Sequence, residues 1–326
     1  MIFSIETSFG NGNIQILSIL RKLAELKTNP EEELLVDFTP YRETDPFSNV
    51  LLCNTLKRFR SQHRDINMRC RPKEDTYLSH IGFYKACGVP YGKEPGEARA
   101  SENYVPVTRK QFEGDFYFGI EDWAKDLAAT LHFDRKLQRM IRYIFVETIR
   151  NVYEHADVNE VTYAAQKWPR YGLVEIAIAD SGCGIAGSLG KKFSETNERL
   201  LELACKPGIT AGTNHQILGT ADDWSNTGYG LYMMKRLTTA FDGSMILCSG
   251  NRAIEYRNVS GMETAFVYET NYKGTCIGLR FSTDTGYDFD RIRDRIIDEG
   301  QKEAAEINGA IQKASRSSGG RYRVDL

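Results

Sequence analysis

The feature that most constrains this chain is a long helical pattern over 133–156 that carries a polar edge. Apolar residues recur along it at steps of three and four, as on the buried face of an amphipathic helix. Glu147 and Asn151 are one helical turn apart and share a face, and His155 continues that line. Because this edge borders the apolar stripe without belonging to it, its side chains can face a cleft.

The residue types on this edge favour metal-assisted chemistry. A carboxylate beside an amide oxygen suits an oxygen-preferring ion such as Mg²⁺, together with an activated water. The alternative is an ordinary solvent-facing helix edge, since glutamate and asparagine are common surface residues. Taken alone, Glu147 and Asn151 leave both interpretations open.

A predicted strand at 174–179 runs directly into Asp180, which is followed by Gly182 and Gly184. A carboxylate at a strand end can accept a hydrogen bond from an exocyclic amino group. The two glycines allow the main chain to turn sharply and approach a flat ring. A simple tight turn is the alternative, because aspartate and glycine are favoured there as well.

A second glycine pair, Gly228 and Gly230, precedes a helix predicted over 229–240. Glycines at a helix start leave backbone N–H groups open to an anion, and the helix dipole favours one there. The rival phosphate motif, G-x-x-x-x-G-K-[ST], does not occur in the sequence. This pair is therefore the best candidate in the sequence for phosphate contacts.

The bulk composition is that of an ordinary soluble globular protein long enough for two domains. The 326 residues are 41% hydrophobic and 26% charged, and the net charge of -2 gives no support for a generally basic nucleic-acid binder. Seven cysteines without a C-x-x-C pair predict reduced thiols in the cytosol rather than a zinc site or disulfide frame. We find no signal peptide or membrane span in the sequence, so we predict a cytoplasmic protein without membrane contacts.

The pattern along the chain predicts a small α/β domain over 1–110. Strands at 34–39 and 66–70 alternate with a helix opening at Asp45 and another over 77–87. Glycine, proline and charged residues at 91–114 predict a linker or long loop. The pattern of strands and helices at the N-terminus faintly resembles STAS-type domains, with a generic α/β domain as the alternative.

A second domain is predicted over 116–285, with further strands at 244–248, 264–268 and 275–281. The long polar connection 186–226, with a helix near 194–205, has the length of a functional segment such as a lid. A charged helix over 288–316 and a mobile tail are predicted to follow, so that 286–326 form a separate terminal segment.

In this order, the three pieces resemble the GHKL superfamily, the ATP-binding module shared by gyrase, a class of heat-shock chaperones, histidine kinases and the mismatch-repair protein MutL. The resemblance covers 116–285 and implies an α/β sandwich in which a mixed sheet lies under helices. The matching motifs are Glu147-x-x-x-Asn151-x-x-x-His155 for the N box, Asp180-x-Gly182-x-Gly184-Ile185 and Gly228-x-Gly230-Leu231 for the two glycine boxes, and Gly274-Thr275 for the closing Gly-Thr.

The resemblance implies ATP and Mg²⁺ as cofactors and a role for each matching residue. Glu147 is expected to be the general base and Asn151 the Mg²⁺ ligand, while Asp180 takes the adenine amino group. The connection 186–226 is expected to be the ATP lid. The remaining expected nucleotide contacts are His155, Gly182, Gly184, Ile185, Thr227, Gly228, Tyr229, Gly230, Leu231 and Thr275.

The leading functional prediction is an ATP-binding and ATP-hydrolysing switch that acts on a protein partner or as a homodimer. None of His63, His80 and His132 has the setting of a phosphoacceptor, so histidine autophosphorylation is not expected. The alternative is a serine kinase of the anti-sigma type, which STAS-type domains partner. A non-catalytic interaction module is a third class, against which Glu147 and Asp180 argue.

Overall fold

The computed structural model describes residues 2–4, 12–26, 34–38, 41, 44–62, 66–69, 77–89, 91–92, 103–112, 122–125, 135–212, 228–283, 286 and 288–308. Its strands are β1 (Ile2–Ser4), β2 (Leu34–Asp37), β3 (Ile66–Arg69), β4 (Tyr104–Gln111), β5 (Glu160–Trp168), β6 (Leu173–Ala179), β7 (Ser244–Val259) and β8 (Met262–Ser282). Its helices are α1 (Gly12–Glu25), α2 (Pro46–Gln62), α3 (Tyr77–His80), α4 (Phe83–Ala86), α5 (Arg135–His155), α6 (Gly184–Leu189), α7 (Asn197–Ala204), α8 (Gly230–Ala240) and α9 (Phe289–Asn308).

The chain is a mixed α/β protein, as predicted, and its described residues form one five-stranded and one three-stranded sheet. The larger sheet has the order β4-β5-β6-β8-β7, and all four pairings are antiparallel. The prediction of a mixed sheet is therefore wrong for these strands. The tight connection between β7 and β8 shows one reason, because only antiparallel neighbours can be joined by a two-residue turn. That turn has positive φ at both Ser260 and Gly261, as a type I′ hairpin requires.

Three of the predicted strands are confirmed, but each is shorter than the strand that forms. Strands predicted separately at 264–268 and 275–281 are one continuous strand, β8, and the strand predicted at 244–248 extends through β7 to Val259. The extra length is an antiparallel hairpin in which alternate residues of β8 are exposed. Its polar residues interrupt the apolar pattern, but a strand tolerates them when one face meets water.

The loop predicted over 91–114 is wrong at 104–111, where the chain forms β4. This strand pairs with β5 in an antiparallel register that shifts between Val105 and Thr108. Pro106 lies inside that shift, at the edge of the sheet, which is where a strand can accommodate a proline. β4 thus lies before the boundary predicted at 110–116 but belongs to the sheet that follows it.

The five-stranded sheet is covered by helices on both faces. Alternate residues of β6 divide between two cores, with Val174, Ile176 and Ile178 on the face shared with α5, α8 and α9. Ala177 and Ala179 point to the opposite face, against which α1 and α2 pack. Small residues dominate this second face, so a helix can lie close to it. They are Ala164, Ala177, Ala179, Cys276 and Gly278.

The N-terminal unit, which we define as β1–β3 with α1–α4, confirms most of the elements predicted in that region. Its three strands are parallel, in the order β1-β2-β3. Helix α2 begins after Asp45, whose Oδ1 accepts a 2.8 Å hydrogen bond from the Ser48 amide. The single helix predicted over 77–87 is broken into α3 and α4 at Gly82, which has a φ of 76°.

Several other elements agree with the sequence patterns. Helix α5 matches the helix predicted over 133–156, α7 matches the one near 194–205, and α8 matches 229–240. The charged helix predicted over 288–316 is present as α9, while the tail that follows it lies outside the described residues. Within the described parts of the chain, no helix is both long and apolar enough to cross a membrane.

Replacing Gly278 with alanine tests the packing of α2 on the sheet. An added β-carbon would lie 2.7 Å from Phe47 Cδ2 and 2.8 Å from Ile246 Cγ2, so both side chains must move. We expect the free energy of unfolding, measured by urea denaturation, to fall by about 1–3 kcal/mol. Gly286→Ala is the matched control, because no atom of the described residues lies within 4 Å of its added β-carbon. Equal stability of the two variants would contradict this packing.

Candidate functional site

One cleft opens beside the end of β6, between α5 and the segments that contain α6 and α8. It encloses about 750 Å³ of space, including its open mouth. Most of the residues predicted from the three motifs line it, although they come from four separate stretches of the chain. These residues are Asn151, His155, Asp180, Gly184, Ile185, Gly228, Gly230, Leu231 and Thr275.

Three of the described site residues do not line the cleft. Glu147 is buried behind its wall with only 1% of its surface exposed. Gly182 lies in the turn beneath, and the Tyr229 ring packs in the core against Tyr232 with the ring centroids 6.1 Å apart. Thr227 lies outside the described residues, as does the part of the predicted lid from 213 to 226.

Asp180 is the only acid that the motifs placed at the end of a strand, and the fold buries it at the base of the cleft. Its exposed fraction is 3%. Oδ1 accepts hydrogen bonds from the backbone amides of Gly182 at 2.8 Å and Thr275 at 3.2 Å. Because both of these bonds use Oδ1, the carboxylate retains acceptor capacity at Oδ2 for a donor in the cleft.

Burial raises the pKa of Asp180 to about 6, against the opposing effect of the backbone hydrogen bonds from Gly182 and Thr275. Removing a carboxylate from water disfavours its charged form, and amide donors recover part of that cost. At neutral pH the side chain is therefore mostly ionised, and the Thr275 side chain adds a hydrogen bond to those from the two backbone amides. A strongly perturbed carboxyl group in a cleft is a marker of a functional site.

The glycines around Asp180 permit close contacts between backbone segments. A β-carbon on Gly182 would overlap the Ala156 carbonyl, and one on Gly274 would overlap the carbonyl of Asp180 itself. Gly184 has a φ of 70°, and its β-carbon would lie 2.6 Å from Ser249 Oγ. We predicted that Gly182 and Gly184 approach a ligand ring. Gly184 lines the cleft, whereas Gly182, like Gly274, is required by the protein's own backbone.

Glu147 is part of a buried charged cluster on α5. Arg150 Nη1 lies 3.5 Å from Glu147 Oε1, and Arg150 Nε lies 3.3 Å from Glu154 Oε1. All three side chains are at most 2% exposed. On the cleft side, a β-carbon on Gly230 would lie 2.9 Å from Glu147 Oε2. Only the backbone of Gly230, which has no side chain, therefore lies between this carboxylate and the cleft.

His155 lines the cleft as a neutral side chain at physiological pH. Burial, and then the positive charge of Arg150, lower its pKa to about 4. A neutral imidazole can donate from one ring nitrogen and accept at the other. His155 can consequently contribute a hydrogen bond to a ligand without adding charge.

The start of α8 forms the other end of the cleft. Gly228 has a φ of 74°, and a β-carbon there would lie 2.5 Å from the Ile209 carbonyl. Among the described residues, no side chain caps the N-terminus of this helix, which runs from Gly230 for 11 residues. Its positive dipole end is directed at the cleft, where an anion is favoured.

Several residues that complete the site were not predicted from the sequence. Ser249 joins two of its loops, because Oγ accepts from the Ile185 amide at 3.0 Å and donates to the Gly274 carbonyl at 2.7 Å. The Tyr272 hydroxyl donates to the Asp180 carbonyl at 2.6 Å. Both residues lie in stretches without a recognisable motif. The apolar walls were missed as well, and they include Val152, Ile178, Leu189, Ile209 and Ile277.

The residues present fit an adenine nucleotide. Aliphatic walls and a buried carboxylate match a flat ring with an exocyclic amine, and an uncapped helix start matches phosphate. The described residues contain no group of three or more His, Cys, Asp or Glu side chains that could hold a metal ion. Mg²⁺ bound with a nucleotide needs no such group, because phosphates and waters supply most of its oxygen ligands.

Comparison of the sequence with models of protein families and with curated proteins finds no match.

Replacing Asp180 with asparagine tests the burial of its charge. Because the folded pKa is raised to about 6 from 3.8, the folded state binds the proton more tightly than the unfolded state does. The stability contributed by Asp180 is then fully present below pH 4 and is lost as the pH rises through 6. We expect Asp180→Asn to be more stable than the original protein by about 2–3 kcal/mol at pH 7 and equally stable near pH 4. Urea denaturation of both proteins between pH 4 and 8 measures this difference, and a difference that does not change with pH would refute it.

Proposed function

We propose that this protein binds ATP together with Mg²⁺ in the cleft and hydrolyses it, as a regulatory switch of the histidine kinase-like ATPase type. The observation that carries the proposal is Asp180, a carboxylate buried at the base of an apolar cleft and oriented by two backbone amides. The Asp180 carboxylate can accept a hydrogen bond from an adenine amino group, and the apolar walls around it are suited to an aromatic ring.

In the proposed complex the adenine ring lies between the aliphatic walls, with its amino group donating to Asp180. Ile178 and Ile277 are neighbours on β6 and β8 and supply one wall, while Ile185 comes from α6. Thr275 holds Asp180 through its amide and lines the cleft beside it. A guanine ring presents a carbonyl oxygen at the position of the amino group, and a carboxylate repels that oxygen.

The triphosphate is proposed to extend towards Gly228 and Gly230 at the start of α8. Asn151 lines the same end of the cleft and, together with the phosphates, would provide oxygen for Mg²⁺. When bound, Mg²⁺ would neutralise part of the phosphate charge and so favour attack by water. His155 is neutral, so it adds no charge that competes with the metal.

Glu147 remains our proposed general base for that water. Its carboxylate is ion-paired with Arg150, and Oε2 lies 2.9 Å from where a β-carbon on Gly230 would be, next to the proposed phosphate position. The role requires water to reach the carboxylate past Gly230, because Glu147 is almost fully buried. Catalytic hydrogen bonds commonly tighten only when the substrate is bound.

Replacing Asp180 with asparagine is expected to weaken Mg-ATP binding while stabilising the fold. Loss of the anionic acceptor should raise the Kd about 10-fold or more, since a hydrogen bond to a charged group contributes about 1.5–3 kcal/mol. The preference for ATP over GTP should narrow, because an amide no longer repels the guanine carbonyl. Calorimetric titration measures both, with the exposed Asp298→Asn as control. Unchanged affinity for ATP would remove Asp180 from the site.

Replacing Glu147 with glutamine is expected to abolish release of inorganic phosphate while Mg-ATP still binds. The amide cannot take a proton from water, whereas the ligand contacts made by Asp180 and Asn151 are unaffected. Glu154→Gln is the matched control, because it removes the same charge from the other side of Arg150. Phosphate release that is equal in both variants would exclude Glu147 as the base.

The alternative reaction, transfer of the γ-phosphate to a serine of a partner protein, is distinguished with radiolabelled ATP and a cell lysate. Label that appears as inorganic phosphate supports hydrolysis. Label that appears on a protein, and is lost with Glu147→Gln, supports the anti-sigma type of kinase.

A further inference from the structure

A chain of three buried hydrogen bonds joins the N-terminal unit to the back of the Asp180 turn. Thr162 Oγ1, on β5, donates to Asn54 Oδ1 at 2.7 Å. Asn54 Nδ2, on α2, donates to the Tyr272 hydroxyl oxygen at 3.1 Å. The Tyr272 hydroxyl, on β8, donates to the Asp180 carbonyl at 2.6 Å.

All three hydrogen bonds are donated in the same direction, from Thr162 towards Asp180. The Tyr272 hydroxyl has a single proton, and it can give that proton to Asp180 because Asn54 already supplies a donor to its oxygen. Thr162 fixes the Asn54 amide in the orientation that makes this possible. Turning the Asn54 amide over would place its oxygen against Tyr272 and draw the hydroxyl proton away from Asp180.

All four members are excluded from water, with exposed fractions of 1% for Thr162, 2% for Tyr272 and 3% for both Asn54 and Asp180. Hydrogen bonds in such surroundings polarise one another and leave an expensive unpaired group when one is removed. The buried Asp180 carbonyl therefore depends on Tyr272 for this hydrogen bond.

These hydrogen bonds connect the two faces of the sheet at the base of the cleft. Tyr272 belongs to the core on the α2 side of the sheet, whereas the Asp180 carboxylate faces the cleft on the other side. The carbonyl and carboxylate belong to the same residue, so a shift of one moves the other. The Asp180 amide donates to the Thr275 carbonyl at 2.9 Å, which anchors the turn at a second point.

We propose that Tyr272 and Asn54 are positioning residues for the nucleotide site, through which the docking of α2 sets the orientation of the Asp180 carboxylate. This inference rests on the proposed function. It makes the N-terminal unit a regulatory element of the cleft, because displacing α2 from the sheet removes Asn54 and leaves the Tyr272 proton free to turn from Asp180. A protein partner that competes for α2 would then loosen adenine recognition without entering the cleft.

Replacing Tyr272 with phenylalanine tests the proposal in the full-length chain, since it removes the hydroxyl and keeps the ring. Calorimetric titration with Mg-ATP should give a Kd about tenfold higher than that of the original protein. Tyr41→Phe is the matched control. It removes another buried hydroxyl in the N-terminal region, one that bonds to Thr44 and Asn49 and not to the site. Its Kd should stay within about twofold of the original.

The pH dependence of binding separates positioning from a purely structural role. In the original protein, affinity should fall as the pH drops through about 6, where Asp180 becomes protonated. Burial raises the pKa of the neighbouring Cys183, Tyr272 and Cys276, and the pKa of His155 across the cleft is lowered to about 4. In Tyr272→Phe, water should reach the loosened carboxylate and move the midpoint towards the ordinary range near 4.

The possible outcomes distinguish a failure of the proposed function from a failure of this inference alone. If the original protein does not bind Mg-ATP, the proposed function fails and the inference fails with it. If the original protein binds and Tyr272→Phe has the same Kd and pH midpoint, only the inference is overturned. The inference is also overturned if Tyr41→Phe loses as much affinity for Mg-ATP as Tyr272→Phe does. Removing any buried hydroxyl would then weaken binding, and Tyr272 would have no specific role.

A second variant covers the case in which Tyr272→Phe does not fold, as judged by near-ultraviolet circular dichroism. Thr162→Val is nearly isosteric, suits a strand, and removes only the hydroxyl that orients Asn54. It should raise the Kd for Mg-ATP about threefold, because it acts two bonds away from Asp180. An unchanged Kd in a folded Thr162→Val protein overturns the inference.

Discussion

The burial of one carboxylate, Asp180, is the constraint on which the rest of the site depends. An ionised group removed from water is costly unless donors surround it. Here the donors are backbone amides of Gly182 and Thr275, and the Tyr272 hydroxyl satisfies the carbonyl of the same residue. The turn must therefore fold tightly against neighbouring backbone, which explains why Gly182 and Gly274 have no room for a side chain. The raised pKa of Asp180 is the consequence of burial that these donors only partly offset.

The two faces of the central sheet have different uses. Large aliphatic side chains such as Ile176 and Ile178 fill the core shared with α5 and α8, and the cleft opens at the end of that same core. Alanine, cysteine and glycine on the opposite face allow α2 to lie close to the strands. Only a close approach brings Asn54 within hydrogen-bonding distance of Tyr272. The N-terminal unit and the sheet therefore share a core, although the sequence pattern divides them.

The candidate site was predictable to the extent that its residues lie in local patterns. The helical period identified α5 and its polar edge, and the apolar run before Asp180 identified the end of β6. Prediction failed where a side chain's surroundings come from elsewhere in the chain. Glu147 looked like a residue facing the cleft, but Arg150 pairs with it in the interior. Within the loop predicted over 91–114, residues 104–111 form an edge strand because β5 is available to pair with them.

By itself, the sequence determined where most of the helices and strands form and which of their residues are polar, because periodicity and glycine placement act over a few neighbouring residues. The order of the three motifs along the chain, which begin at Glu147, Asp180 and Gly228, is likewise a property of the sequence. Only the tertiary structure decided how deeply Asp180 and Glu147 are buried, which strands pair and which face α2 covers. Those outcomes depend on contacts such as that between Asn54 and Tyr272, which are 218 residues apart. Burial and hydrogen bonding between such distant residues arise from the packing of the whole fold, and no local pattern encodes them.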